Sequence, residues 1–242
     1  MRILVLGGSG DVARLVVPHL AQRHDVTVAD IRPGDSASSI RRIRVDAVDE
    51  DELLEASAEQ DAVVYFAMGR KSDWGDHEPG WRRSHFELNL WGLDSALRAA
   101  ASAGVRRFVH ASTMSVFRSF PALPTGFDPP VPDACDTYGL TKRLGEDLCR
   151  ARSSAWGLDV VSLRLSEPVP DDVWERDHTT RPWLTAASDV AMAFERALVV
   201  DLEHFRAFSI TGDIDARPAE RREARDLLGW NPRPRNERRA AS

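Results

Sequence analysis

Apolar residues in this chain fall into short runs separated by stretches in which they recur every three or four positions. The β-branched and aliphatic runs at 3–6, 26–29, 43–45, 62–66, 107–111, 160–164 and 207–211 predict strands. Several are apolar at consecutive positions, as strands buried on both faces require. Helical spacing predicts helices over 11–23, 50–58, 84–103, 137–154, 188–199 and 219–228, with Pro18 kinking the first. That alternation is the signature of βαβ units, so the predicted fold class is α/β, a doubly wound parallel sheet covered on both faces.

Three stretches, 69–83, 118–136 and 167–187, break the pattern. They are rich in Pro, Gly, Asp and Trp, and each follows the carboxyl end of a predicted strand. Ligands of open α/β sheets bind beyond those strand ends, so these loops are the expected walls of a substrate site. With 212–242 they are expected to form a small substrate-covering part of a single domain spanning 1–242. The sequence shows no internal repeat and no linker long enough to divide it.

Charge narrows the partners. Over 242 residues the net charge is −6 with both signs interspersed, which argues against nucleic acid and against an anionic membrane as partner. The arginine-rich stretch 217–239 reads as a solvated helix and tail. No apolar run is long enough to span a bilayer and the chain opens on a strand pattern, so a cytoplasmic protein is expected. Cys135 and Cys149 fit neither a zinc knuckle nor a redox pair, and reduced thiols are expected. Asp76-His77-Glu78 with His85 matches no known metal spacing, so no metal is expected.

Between the first predicted strand and helix lies Gly7-Gly8-Ser9-Gly10-Asp11-Val12-Ala13. A turn without Cβ clashes lets backbone N–H groups at the helix start approach a pyrophosphate, with Gly7 and Gly10 in the turn and Ala13 at the packing position. Asp30 follows twenty residues after Gly10, where a carboxylate accepts hydrogen bonds from ribose hydroxyls and repels a 2′-phosphate. NAD is therefore favoured over NADP, although Arg32 is close enough to accommodate the extra phosphate. These features make the expected fold Rossmann-type.

Of the 32 basic side chains only Lys71 and Lys142 are lysine, and there are only two tyrosines. Tyr138 and Lys142 nonetheless fall four residues apart on one predicted helix, which projects them from the same face. A phenol with an ordinary pKa of about 10 is a poor base at neutral pH. A neighbouring ammonium, aided by a nicotinamide's charge, is expected to favour the phenolate, so that Tyr138 can exchange a proton with a substrate hydroxyl. Upstream, the strand ends in Ala111-Ser112-Thr113-Met114-Ser115, and Thr113 is the expected hydroxyl that orients the reacting oxygen.

The sequence resembles the extended short-chain dehydrogenase/reductases, the NAD-dependent epimerase/dehydratase family. The likeness runs through the Gly7 to Ala13 turn, Asp30, Asp46, Asn89-Leu90-Trp91-Gly92, Ala111-Ser112-Thr113, the Tyr138 and Lys142 pair, and Leu228-Gly229-Trp230-Asn231-Pro232. The resemblance implies catalytic roles for Thr113, Tyr138, Lys142 and Asn89, the last as the helix position shaping the site. It implies cofactor contacts at Gly7, Gly10, Asp11, Val12, Asp30, Ile31, Asp46, Ala47, Ala67 and Ala111 as well as Tyr138 and Lys142. Substrate contacts are implied at Met68, Thr113, Met114 and Arg181, and a homodimer through the helices of Asn89 and Tyr138. Among compact members the chain looks most like uronate dehydrogenases. It departs from them at Met114-Ser115 and at Glu167, where a Ser is expected.

Arg181 is a candidate clamp for a substrate carboxylate, with Arg70 and Lys71 as rivals, and Trp74, Trp81 and Trp183 lie in the expected substrate loops. The leading expectation is an NAD-dependent oxidoreductase acting on a small sugar or sugar acid. The alternatives are an NAD-dependent sugar or nucleotide-sugar epimerase and a non-catalytic dinucleotide-sensing binding protein.

Overall fold

The computed structural model describes residues 1–34, 39–69, 79–120, 131–212 and 218–233. Elements follow in the order β1 (Arg2–Leu6), α1 (Asp11–Leu20), β2 (Asp25–Asp30), β3 (Arg41–Arg44), α2 (Glu50–Ser57), β4 (Ala62–Tyr65) and α3 (Pro79–Phe86). A π-helical turn (Glu87–Gly92), α4 (Leu93–Ser102), β5 (Arg107–Thr113), a 3₁₀ turn (Met114–Val116), α5 (Thr137–Trp156) and β6 (Asp159–Leu165) come next. The chain continues through β7 (Pro168–Val169), α6 (Asp171–Asp177), β8 (Thr185–Ala186), α7 (Ala187–Val199), β9 (Phe205–Ile210) and α8 (Pro218–Asp226).

Seven strands form one sheet in the order β3-β2-β1-β4-β5-β6-β9, and every pairing is parallel. The order reverses at β1, which leaves a crevice between β1 and β4 at their carboxyl ends. Successive side chains of β1 point to opposite faces and both faces are covered. Ile3 and Val5 pack with Val16, Val17 and Phe194 beneath α1 and α7, whereas Leu4 and Leu6 pack with Leu53, Leu93 and Leu97 beneath α2 and α4.

Beyond shifts of a residue or two at strand and helix ends, three stretches differ from the sequence expectation. Helix α1 stops at Leu20, where the bonds tighten to i−3 ones, the Gln22 N–H on His19 O (3.2 Å) and the Arg23 N–H on Leu20 O (3.1 Å). The helix expected at 84–103 starts at Pro79, as suits a residue that needs no donor in a first turn, and carries the π-helical turn at its middle. The stretch expected as loop, 167–187, instead contains α6 and the β7–β8 pair.

The C-terminal motif closes the molecule over the start of α7. Trp230 Nε1 donates to Asp189 O at 2.8 Å, and the Arg233 N–H donates to both Asp189 carboxylate oxygens at 3.2 Å. The Arg233 guanidinium reaches Asp171 at 2.8 Å and also Ser188. Among the described residues no helix is long and apolar enough to cross a membrane.

Candidate active site

At the end of β1 the chain turns through Gly7 with φ +73°, and a Cβ there would lie 2.4 Å from Ala67 N. Only glycine fits both the backbone angle and that approach to the loop after β4. The turn is fixed by the Gly7 N–H on Ala29 O (2.9 Å) and the Gly10 N–H on Gly7 O (3.1 Å). Asp30, at the end of β2, accepts the Ser9 N–H at 3.1 Å and the Arg32 N–H at 2.9 Å, so its carboxylate is held against the glycine turn. Asp11 and Val12 open α1, while Ile31 is exposed just past Asp30. Asp46 and Ala47 follow β3, and Asp46 accepts the Val48 N–H at 3.2 Å. Ala67 is buried after β4 beside Met68, which reaches the surface.

This arrangement fits NAD. The glycine cradle has no room for a side chain, and the Asp30 carboxylate is tied to the same turn. Ser9 Oγ in that turn is buried without a hydrogen-bond partner among the described residues.

The second half of the site forms where α5 meets the end of β5. Asp136 caps the helix by accepting the Gly139 N–H at 2.9 Å. A Cβ at Gly139 would lie 2.3 Å from Ser115 O, so a glycine lets the first turn of α5 sit directly on the 3₁₀ turn after Thr113. That contact brings Tyr138 to Thr113, with which its side chain is hydrogen-bonded. Thr113 Oγ1 also accepts the Ser115 N–H at 3.1 Å. One helical turn on, the buried Lys142 ammonium donates to Ala111 O at 2.8 Å, using one of its three protons.

Burial pushes the Tyr138 phenol above its ordinary value, opposed by the Thr113 hydrogen bond and reinforced by Asp136. The Lys142 ammonium, expected to favour the phenolate together with a nicotinamide's charge, is directed at Ala111 O. Burial also pushes Lys142 down to about 8, against the influence of Cys149 and Glu146. The other tyrosine is structural: buried Tyr65 donates to Leu88 O at 2.6 Å, a carbonyl of the π-helical turn.

Two groups of residues surround this cluster; Asn89 was expected to shape the site, whereas His85, Thr141, Glu146 and Arg164 were not expected there. Asn89, buried in the π-helical turn, donates from Nδ2 to Thr141 Oγ1 at 2.9 Å and lies 3.1 Å from His85 Nδ1, while Thr141 donates to Thr137 O. The His85 ring stands edge-on to Tyr138, with centroids 5.6 Å apart, and edge-on to Trp81 at 4.4 Å. The second group lies under the strand: Ser112 Oγ donates to Glu146 Oε1 at 2.6 Å, and Arg164 grips Glu146 through three contacts of 2.7–3.1 Å. The sequence signal for Glu146 was its place four residues beyond Lys142, a charge on a helix face that is otherwise buried.

Two expected substrate contacts lie differently. Met114 is fully buried with Val116, Phe117 and Phe120, because the 3₁₀ turn directs it into the protein, so its side chain offers no surface to a ligand. Arg181 is paired with Glu167, whose other oxygen accepts Trp183 Nε1 at 2.6 Å, so its charge is already met by the protein. Arg70, Lys71, Trp74, Asp76, His77 and Glu78 lie outside the described residues.

Sheet order and glycine turn define a Rossmann-type dinucleotide-binding protein. The model of the NAD dependent epimerase/dehydratase family matches residues 3–208, and the chain belongs to that family of NAD-dependent enzymes. It is 30% identical over 256 aligned positions to an L-arabinose 1-dehydrogenase (NAD(P)(+)) of Haloferax volcanii, covering 96% of both chains. Among solved structures, glucuronic acid dehydrogenase from Chromohalobacter salexigens superposes with a TM-score of 0.79 at 20% identity, over 96% of this chain and 84% of that one. MoeE5 in complex with UDP-glucuronic acid and NAD gives 0.78 at 21% identity, over 97% and 94%. Both share the fold.

Proposed function

We propose that the protein is a dehydrogenase that oxidises a hydroxyl or hemiacetal carbon of a small free sugar or sugar acid with NAD. The observation that carries this reading is the meeting of Thr113, Tyr138 and Lys142 at the carboxyl end of β5, on the crevice side of the sheet. The match along 96% of an L-arabinose 1-dehydrogenase supports a sugar as substrate. Bound NAD supplies the hydride acceptor. Thr113 orients the substrate hydroxyl, Tyr138 takes its proton, and the protons of Lys142 not given to Ala111 O hold the nicotinamide ribose. Asp30 meets the adenosine ribose hydroxyls, and its charge selects NAD over NADP.

The test is the absorbance of reduced nicotinamide, followed over time with NAD or NADP and a panel of aldoses, uronic acids and nucleotide sugars. The expected result is accumulating NADH with a free sugar and a smaller signal with NADP. A flat trace with an inverted sugar configuration would replace the reading by epimerisation. Retained NAD binding with no turnover of any sugar would favour the non-catalytic alternative.

We also propose a homodimer. Phe86, Trp91 and Leu144 are apolar and exposed on the helices around Asn89 and on α5, a grouping that a second copy would cover. Sedimentation equilibrium is expected to give twice the chain mass, and a monomer across micromolar concentrations would remove this proposal.

A further inference from the structure

As the chain leaves β6 it takes a backbone conformation that a residue with a Cβ rarely adopts. Glu167 has φ of 36°, in the left-handed region, and such a conformation persists only where the surroundings hold it. Here both carboxylate oxygens are engaged, one by Arg181 and the other by Trp183 Nε1. The backbone around it is fastened as well. Ser166 Oγ donates to Trp183 O at 2.6 Å, Thr185 Oγ1 to Ser166 O at 2.7 Å, and the Thr185 N–H to Glu167 O at 3.3 Å.

The sheet register sets Leu165 opposite Thr113, so Glu167 lies two residues beyond the end of the strand next to the one carrying Thr113. It is therefore on the side of the sheet where substrate is expected. The Glu167 and Arg181 side chains are 42% and 40% exposed, so the pair is accessible to a ligand rather than sealed in the core. Such a half-exposed pair adds little to stability, but its charges decide what can approach.

We propose that Glu167, held in place by Arg181 and Trp183, makes the site selective for neutral sugars, so that the substrate is a free aldose rather than a sugar acid. This rests on the dehydrogenase reading above and narrows it. A guanidinium free to form two parallel hydrogen bonds would clamp a substrate carboxylate. Here that position is taken by the protein's own carboxylate. An incoming uronate must displace Glu167 and then sit beside it, like charge against like charge. A neutral polyol leaves the pair intact and donates its hydroxyl protons to the lone pairs that Glu167 retains. Discrimination by an opposing charge is a repulsive form of specificity, and it weakens with added salt.

The experiment compares sugars that differ only at the terminal carbon, galactose with galacturonate and glucose with glucuronate, using the full chain and NAD at low ionic strength. The expected kcat/KM for the aldose exceeds that for the matched uronate by about 100-fold, and Glu167→Gln raises uronate kcat/KM by about 10-fold or more, as removal of one close like charge allows. Arg181→Met added to Glu167→Gln is expected to cancel that gain. Equal or better turnover of uronate by the unaltered protein, or unchanged selectivity in Glu167→Gln, overturns the proposal. Calorimetric binding of both sugars to NAD-saturated Tyr138→Phe separates it from the reading it rests on. Preferential binding of the aldose, with no NADH formed by the unaltered protein, sinks dehydrogenation and leaves the selectivity standing. Failure to bind the aldose, or preference for the acid, overturns the selectivity itself.

Discussion

Tyr138→Phe is expected to lower kcat by about 10²–10⁴-fold, the usual contribution of a positioned acid–base group, with the fold and NAD binding retained. The substitution keeps the ring and its edge contact with His85 and removes only the hydroxyl that meets Thr113. The pH dependence gives a second, independent readout. Tyr138 must lose its proton to accept one from a sugar, and burial pushes its pKa up while the Thr113 hydrogen bond pulls the other way. Below the phenol's pKa the ionised fraction rises about tenfold per pH unit, so sugar oxidation is expected to accelerate with pH through neutrality. Burial pushes Lys142 down to about 8, so its hold on the nicotinamide ribose is expected to weaken on the alkaline side. A variant that turns over at the unaltered rate, or an unaltered protein whose oxidation rate falls with pH, would remove Tyr138 from this role.

Glu146→Leu should cost about 3–5 kcal/mol of stability, because it strands the partners of a buried ion pair rather than replacing the pair. The Glu146 side chain is only 3% exposed and that of Arg164 12%, and Ser112 Oγ spends its proton on the same carboxylate. Urea unfolding of the variant beside Glu146→Gln would measure this. The amide keeps the shape and part of the hydrogen bonding, so its loss should be distinctly smaller. A change below about 1 kcal/mol in the Leu variant would mean that the network bears no such share. Ser112 adjoins Thr113, so kcat is also expected to fall further than NAD binding.

How much of this was legible in the sequence depended on whether a feature repeats locally. β1 and β4 lie inside the sheet and are buried on both faces, which writes them as continuous apolar runs, whereas β5 and β6 carry His110, Ser112, Ser162 and Arg164 among their apolar residues. β3 is an edge strand spelled Arg-Arg-Ile-Arg, and its observed start at Arg41 precedes the expected one because charge at an edge carries no such run. β7 and β8 have two residues each and hence no period to detect. The Tyr138 and Lys142 pair stood out because both residue types are rare here and a helix places them together. The Glu167, Arg181 and Trp183 contacts join residues across a connection with no regular spacing, so only the folded chain brings them into one group. Met114 was expected at the substrate because it follows Thr113, but the 3₁₀ turn directs it inward.

The clasp between Arg233 and the start of α7 bears on the timing of assembly during synthesis. Asp189 is buried near the head of α7, where desolvation pushes its carboxyl pKa up and the Arg233 N–H and guanidinium oppose that shift. Those opposing groups come from a residue made more than forty positions later. A nascent chain that has already released β6 and α7 would keep this acid without them, and α7 would dock on β1 and β5 weakly. The sheet face beneath α1 and α7 is therefore expected to be sealed only once the ribosome has released residue 233, so that completing a core that begins at Ile3 waits on a segment made well after α7.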